Sequence, residues 1–132
     1  MALANILTNA GRAIKTNLVS GLGGTAPNYV AIGSGSTTAV AADTTLTTEY
    51  TTGTWTGYAR AHPTPTRSTT SVTNDTINWS ASFTAGAAQS VYEAGLLDAL
   101  TVGNLFIHSS FAAAVGLSSG DSITLNFAQQ ES

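Results

Sequence analysis

The residues that could do chemistry in this chain are two histidines, His62 and His108, seven carboxylates and many serines. Asp98, His108 and a serine could be drawn as a hydrolytic triad, which needs a base within hydrogen-bond reach of the nucleophile and a third group behind the base. No Gly-x-Ser-x-Gly elbow marks a nucleophile. Because serines are so frequent here, a chance match is expected. We therefore predict no catalytic residue and no enzymatic activity.

Metal and cofactor sites are not indicated either. His62 precedes a proline, His108 lies in an apolar run, and the carboxylates are scattered singly, without a calcium-loop spacing. The chain has no cysteine and therefore no thiolate ligand. Gly33-Ser34-Gly35 follows a predicted strand as a phosphate loop would, but no third glycine and no lysine follow. We interpret it as a turn and predict no cofactor.

Glu93 is the most informative acid, because it lies within the apolar run of residues 91–97. A charge buried in a strand is costly unless it is paired. Arg60 and Arg67 are the only arginines in predicted strands. We therefore predict a structural ion pair between Glu93 and Arg60 or, failing that, Arg67, rather than a catalytic acid.

The composition indicates part of an assembly. Only 8% of the residues are charged, and threonine and serine make up about a quarter of the chain. Since charges keep a freely diffusing protein soluble, a hydroxyl-rich chain is suited to packing against neighbours. Four lysines and arginines are too few for a nucleic-acid patch. No apolar run is long enough to span a membrane, and no export signal begins the chain.

These residues must be positioned by one N-terminal helix and a β-rich body. Apolar residues at three- and four-residue steps predict an amphipathic helix over about residues 2–20, which a glycine-rich segment ends. After Pro27 the apolar period changes to two, as in strands. The stripe of the helix is formed by Leu3, Ile6, Leu7, Ala10, Ile14 and Leu18.

The strand pattern predicts the fold class. Runs at residues 29–32, 55–61, 67–73, 76–84, 91–97, 105–111 and 122–127 read as strands, with a hairpin across Asn74-Asp75 and a long loop over residues 37–52. We predict a mainly β protein: an antiparallel β-sandwich or small barrel of seven to eight strands over about residues 28–128, with one N-terminal α-helix, in a single domain of residues 1–132. The predicted core residues alternate with polar ones: Ile77, Trp79, Phe83, Ile123, Leu125 and Phe127.

Several segments together resemble a known class of protein. They are residues 29–35, 42–49 and 58–60, then residues 92–99, Gly103-Asn104-Leu105, Phe111 and Gly120-Asp121 before a closing alternating strand. In this order they resemble small virion structural proteins of tailed bacteriophages, which occur as capsid decoration proteins and as N-terminal attachment domains of tail fibres. The resemblance implies a β-rich, non-enzymatic and often trimeric component of the phage particle, made in the host cytoplasm.

The function expected from this resemblance is capsid reinforcement. Because no shaft or receptor-binding region follows the last predicted strand, we expect a homotrimeric decoration or cement protein that binds the major capsid protein or other virion proteins. The Thr-rich residues 37–53 are expected at a contact. One alternative is a tail-fibre or baseplate adaptor. An alternative of another class is a carbohydrate-binding sandwich, with exposed Trp55 and tyrosines as its platform.

Overall fold

A computed structural model describes residues 3–131 of the chain, and the side chains of residues 5–131. The described part holds one helix and seven strands. Their bounds are β1 (Leu3–Leu7), α1 (Asn9–Ser20), β2 (Tyr29–Gly33), β3 (Thr66–Ser68), β4 (Thr76–Thr84), β5 (Gln89–Leu97), β6 (Leu105–Leu117) and β7 (Ser122–Gln130).

The strands form two antiparallel sheets that pack as a sandwich. One sheet has the order β1-β6-β5-β2 and the other the order β3-β4-β7. The predicted fold class, a mainly β sandwich with one N-terminal helix, is confirmed. That residues 1–132 form a single domain stays a prediction.

The N-terminal helix is shorter than predicted. Residues 3–7, which we assigned to it, form β1 and pair with β6, so that Leu7 lies opposite Ile107; residue 2 lies outside the described part. Apolar residues at helical spacing can also line a strand, and here the backbone partners offered by β6 decide in favour of the strand. The helix begins after Thr8, whose side chain accepts a hydrogen bond from the N–H of Gly11.

Gly11 allows the helix to lie directly on β6. A Cβ atom at this position would be 2.3 Å from the carbonyl oxygen of Phe106. Thr8 adds a second anchor, because its buried side chain donates to the carbonyl oxygen of Leu105 while its N–H donates to that of Phe106. The helix start is therefore fixed to the sheet by both backbone and side chain.

Two of the predicted strand assignments are corrected by the structure. Residues 55–57 lie in a bend and a turn, where the carbonyl oxygen of Thr51 accepts from the N–H groups of Thr54 and Trp55, and residues 58–60 have no regular structure. In this run only Ala61 bridges to a strand, at Val30. The run from residue 67 to 73 is also mostly a loop, since β3 ends at Ser68. The Asp75 carboxylate accepts from three loop N–H groups, those of Thr70, Ser71 and Val72, and these bonds compete with strand pairing.

The core lies between the sheets. Of the six residues predicted there, Trp79 and Phe83 of β4 and the three from β7 are buried, while Ile77 is partly buried. The Trp79 ring lies 6.2 Å from the Phe106 ring of the opposite sheet, and its Nε1–H donates to Oδ1 of Asn28 at 3.0 Å. The inner face of β4 thus holds the two sheets together.

Candidate functional site: a buried acid–histidine–acid cluster

Three titratable side chains, from β5, from β6 and from a loop, form one hydrogen-bonded cluster. Nε2 of His108 lies 2.8 Å from Oε1 of Glu93, and Nδ1 of His108 lies 2.7 Å from Oδ2 of Asp43. Glu93 and His108 are both completely buried, whereas Asp43 lies at the surface side of the cluster. The two strands bring the first pair together by antiparallel pairing, and the loop over residues 34–50, here called the strap, supplies Asp43.

The Glu93 carboxylate also holds the backbone of the strap. Its Oε1 accepts from the N–H of Thr47 at 2.7 Å, and its Oε2 accepts from the N–H groups of Thr48 at 2.7 Å and Gly35 at 2.9 Å. With His108, the carboxylate therefore has four hydrogen-bond partners. A buried carboxylate is tolerated when its oxygens are satisfied in this way.

The glycines of the Gly33-Ser34-Gly35 turn are needed because the carboxylate occupies the space beside them. A Cβ atom on Gly33 would lie 2.6 Å from Oε2 of Glu93, and one on Gly35 would lie 2.4 Å from the same atom. Together with Thr47 and Thr48, the turn forms an anion cradle, to which it contributes the N–H of Gly35. The anion that it holds is a side chain of the protein itself.

The pKa shifts of all three groups in the cluster favour their charged forms. Burial alone lowers the pKa of His108, but its hydrogen bonds to Glu93 and Asp43 outweigh burial and raise the pKa above its ordinary value. Burial raises the pKa of Glu93. The hydrogen bonds from His108 and from the strap N–H groups lower this pKa by more, so the net shift is a decrease. Burial also raises the pKa of Asp43, but the hydrogen bonds from the N–H of Val40 and from His108 outweigh burial and lower the pKa.

This arrangement is structural and not catalytic. Both ring nitrogens of His108 are occupied by carboxylates, so neither can activate a hydroxyl nucleophile. Asp98, which the sequence placed in a possible triad, lies elsewhere and accepts from the N–H of Asn104 at 2.6 Å. Among residues 5–131, no group of three histidine or acidic side chains has a metal-binding arrangement.

The structure corrects the predicted partner of Glu93. Arg60 instead forms a two-pronged ion pair with Glu49, with Nε and Nη2 each 2.8 Å from a carboxylate oxygen. Arg67 lies exposed on β3. The sequence signal for the true partner is His108, a histidine in an equally apolar strand that pairs beside Glu93.

Arg60 fixes a second loop, which we call the tip loop (residues 98–104). Its Nη1 donates to the carbonyl oxygens of Ala99 and Val102, each at 2.8 Å. The hydroxyl of Tyr58 donates to Glu49 at 2.9 Å and so supports the carboxylate from the other side. Burial raises the pKa of Tyr58, and the hydrogen bonds to Glu49 raise the pKa of Arg60, so the tyrosine stays neutral and the guanidinium stays charged.

The tip loop presents apolar side chains to solvent. Leu100 is 53% exposed and Val102 is 84% exposed. Val102 also has φ of 56°, in the left-handed region that β-branched residues rarely adopt. A groove of about 350 Å³ lies beside these residues, lined by the paired Glu49 and Arg60.

The carbohydrate platform proposed from the sequence is not formed at Trp55. Its side chain is only 3% exposed, packs 5.0 Å from the Tyr50 ring, and donates from Nε1 to the carbonyl oxygen of Thr84 at 3.2 Å. Tyr50 is buried as well. The prediction of an exposed Trp55 was wrong, because the turns of residues 51–58 fold this tryptophan back onto the sandwich.

Comparison with known proteins identifies the class. The family model described as "Podophage GP4 fiber I protein gp80" matches residues 6–131. A comparison with curated proteins gives no significant match. No helix in residues 3–131 has the length and apolar character needed to cross a membrane.

The family match confirms a structural, non-enzymatic part of the phage virion and corrects its place in the particle. The expected role as a capsid decoration protein was wrong, because the matched family consists of fibre proteins. The tail-fibre alternative is the reading that the match supports. With residues 6–131 covered, from β1 to the end of β7, the chain belongs to the podophage GP4 fibre I protein gp80 family.

Proposed function

We propose that this fibre protein acts as an adaptor: a rigid sandwich that joins neighbouring tail or fibre proteins through uncharged contacts. The family match over both sheets and the strap is the observation that carries the proposal. In such a role the sandwich is a rigid scaffold, and its surface makes the contacts with neighbours. The buried cluster keeps the strap in place on this scaffold.

The outer face of the second sheet has the chemistry that such contacts need. Hydroxyl groups pair across its strands, Ser82 with Thr124 and Thr84 with Ser122, each at 2.8 Å. Removing hydroxyls and small apolar groups from water costs less than removing charges. A neighbour can therefore pack on this face without leaving a charge unpaired.

The tip loop is the best candidate for an apolar contact. The hydrogen bonds from Arg60 hold Val102 in an unfavourable backbone conformation, with its side chain in solvent. Unfavourable conformations persist where the surrounding structure enforces them, and they concentrate at functional positions. We infer that Leu100 and Val102 insert into a neighbouring protein of the fibre. The contact predicted for residues 37–53 stays a proposal, since the strap's buried residues face the sandwich itself.

The experiment is complementation of a phage that lacks this gene. Particles made with the wild-type chain should carry it on the fibres, as detected by gold-labelled antibody in electron microscopy. The double variant Leu100→Ser/Val102→Ser should fold with an unchanged melting temperature yet be incorporated less. Val72→Ser is the matched control, because Val72 is also an exposed valine in a loop but lies at the β3–β4 connection. Equal incorporation of both variants would show that the tip loop is not a contact site. Label on the capsid shell would exclude the adaptor role.

A further inference from the structure

The edges of the two sheets are treated very differently. At the β2 edge, the strap and the following segment pair with the strand: Val30 exchanges both backbone hydrogen bonds with Ala61, Tyr50 donates to Ile32, and Ser34 donates to Thr48. The β3 edge is three residues long, contains Arg67 and follows Pro65. Short strands, charges, prolines and covering loops are the ways in which proteins prevent edges from pairing.

The β7 edge has none of these protections in the part of the chain that the structure describes. It is nine residues long, lies at the end of its sheet, and contains neither a charge nor a proline. The β1 edge, at five residues, is much shorter. A long, uncharged edge left open in a fold that covers or shortens the others indicates a surface that pairs with another strand.

The backbone groups that face outward can be identified from the bonds at the two ends of β7. The carbonyl oxygen of Asp121 accepts from Ala85, and the N–H of Glu131 donates to Asp75. In an antiparallel ladder a residue directs both its N–H and its C=O to the same neighbour, and every second residue does so. Odd-numbered residues therefore face β4, and the open edge is formed by the even-numbered ones: Ser122, Thr124, Asn126, Ala128 and Gln130.

We propose that β7 pairs antiparallel with β7 of a second copy of this chain, so that the two three-stranded sheets become one six-stranded sheet. In the register that pairs all five outward-facing residues, Asn126 lies on the two-fold axis opposite its own copy. Thr124 then faces Ala128, and Ser122 faces Gln130. All nine residues of β7 are uncharged, so no like charges meet across the two-fold axis.

Two further observations favour a second copy over a charged partner strand. Glu131, the acid that follows β7, is already neutralised by Lys15 at 2.7 Å. The hydroxyl pairs between β4 and β7 show that this face already forms uncharged cross-strand contacts, which the second copy would continue. The inference does not depend on where the fibre protein sits in the particle.

A charge placed on the axis tests the pairing. Asn126→Lys would put two ammonium groups opposite each other and should weaken the dimer of the purified chain by about tenfold or more in sedimentation. Ser80→Lys is the matched control: Ser80 lies opposite Asn126 on the same face but in the central strand β4, away from the axis. A wild-type monomer at high protein concentration overturns the proposal. An oligomer, trimer included, that Asn126→Lys and Ser80→Lys affect equally overturns it as well.

A cross-link provides a second readout if the lysine variant does not fold. The chain has no cysteine, so Asn126→Cys introduces a single thiol. Residues opposite each other in a hydrogen-bonded antiparallel pair have Cα atoms about 5.5 Å apart, within the range of a disulfide. Mild oxidation should give a covalent dimer with Asn126→Cys and little with Ser80→Cys. Equal cross-linking of the two variants would contradict the register.

Discussion

At the scale of single residues, the fold depends on one carboxylate having all its partners. Glu93 is wholly buried, and its two oxygens accept four hydrogen bonds, three of them from the backbone of the strap. His108 and Asp43 complete the cluster. Because the low dielectric inside the protein strengthens these bonds and also raises the cost of losing one, small changes here have large effects.

Glu93→Gln should lower the free energy of unfolding by about 3–5 kcal/mol, because it leaves the imidazolium without its buried counter-ion. The amide nitrogen would also face backbone donors. His108→Gln should cost less, about 1–3 kcal/mol, since the carboxylate keeps its three backbone N–H partners. Urea unfolding of both variants at pH 6 measures the difference. Equal losses would indicate that the backbone bonds to Glu93 contribute little.

Stability should be greatest at pH values between the ordinary pKa values of the carboxylates and of the histidine. The folded pKa of His108 lies above its ordinary 6.5, so its contribution is complete below pH 6.5 and is lost as pH rises through the folded pKa. The folded pKa values of Glu93 and Asp43 lie below their ordinary values of 4.5 and 3.8. Their contribution to stability is therefore complete above pH 4.5 and is lost as pH falls through the folded pKa values. The cluster therefore stabilises most at about pH 5–6.

The variant His108→Gln isolates the alkaline side of this profile, since the acid side also includes Asp75, whose pKa is lowered by hydrogen bonds from three loop N–H groups. Free energies of unfolding from pH 5 to pH 9 should fall with rising pH in the wild type and fall less in the variant. Parallel profiles would mean that the pKa of His108 does not change on folding.

At the scale of elements, the strap is held from inside by charge and by close packing. A Cβ atom on Gly35 would lie 2.4 Å from the Glu93 carboxylate and equally close to Thr47. Gly35→Ala should therefore destabilise the protein by about 1–3 kcal/mol. It should also increase hydrogen exchange at the N–H groups of Thr47 and Thr48.

Gly116→Ala is the control for this change. Gly116 lies in β6, and a Cβ atom there meets no other atom within 4 Å. This substitution should change stability by less than about 0.5 kcal/mol and leave strap exchange unaltered. If both alanine variants behave alike, the strap is not fixed by the cradle around Glu93.

The contact between the sheets depends on Trp79. It is 2% exposed, packs on Phe106 and bonds to Asn28. Trp79→Ala should lower the free energy of unfolding by about 3–5 kcal/mol, as expected for a large aromatic side chain removed from a core. A loss below about 1 kcal/mol in a denaturant titration would place Trp79 outside the stabilising contact.

The elements that sequence could predict are those in which local pattern and packing agree. The alternation in β4 and β7 marks their inner faces directly, because each strand has one face on the core. The strand predicted over residues 55–61 was wrong, since turns bonded to Thr51 fold the start of that segment. Asp43, the third member of the cluster, could not be assigned from local pattern, because it reaches His108 across 65 positions of chain through a strap with no periodic signal.

At the scale of the whole molecule, the few charges act mainly in folding, and assembly depends on uncharged surface. The charged groups of the cluster are internal, and the hydroxyl-rich surface is left for neighbours. Self-association of the purified chain should therefore survive about 1 M salt, at which the Debye length is roughly 3 Å. Sedimentation at low and high salt measures this. Dissociation at high salt would show that ion pairs between the copies hold the oligomer together.

A cryo-electron microscopy map of the intact particle would show whether this sandwich joins proteins within a phage fibre. We expect the sandwich within fibre density, with the tip loop against a neighbouring protein and β7 paired with another strand. Density for the sandwich on the capsid shell, or in the fibre with both the tip loop and β7 facing solvent, would contradict it.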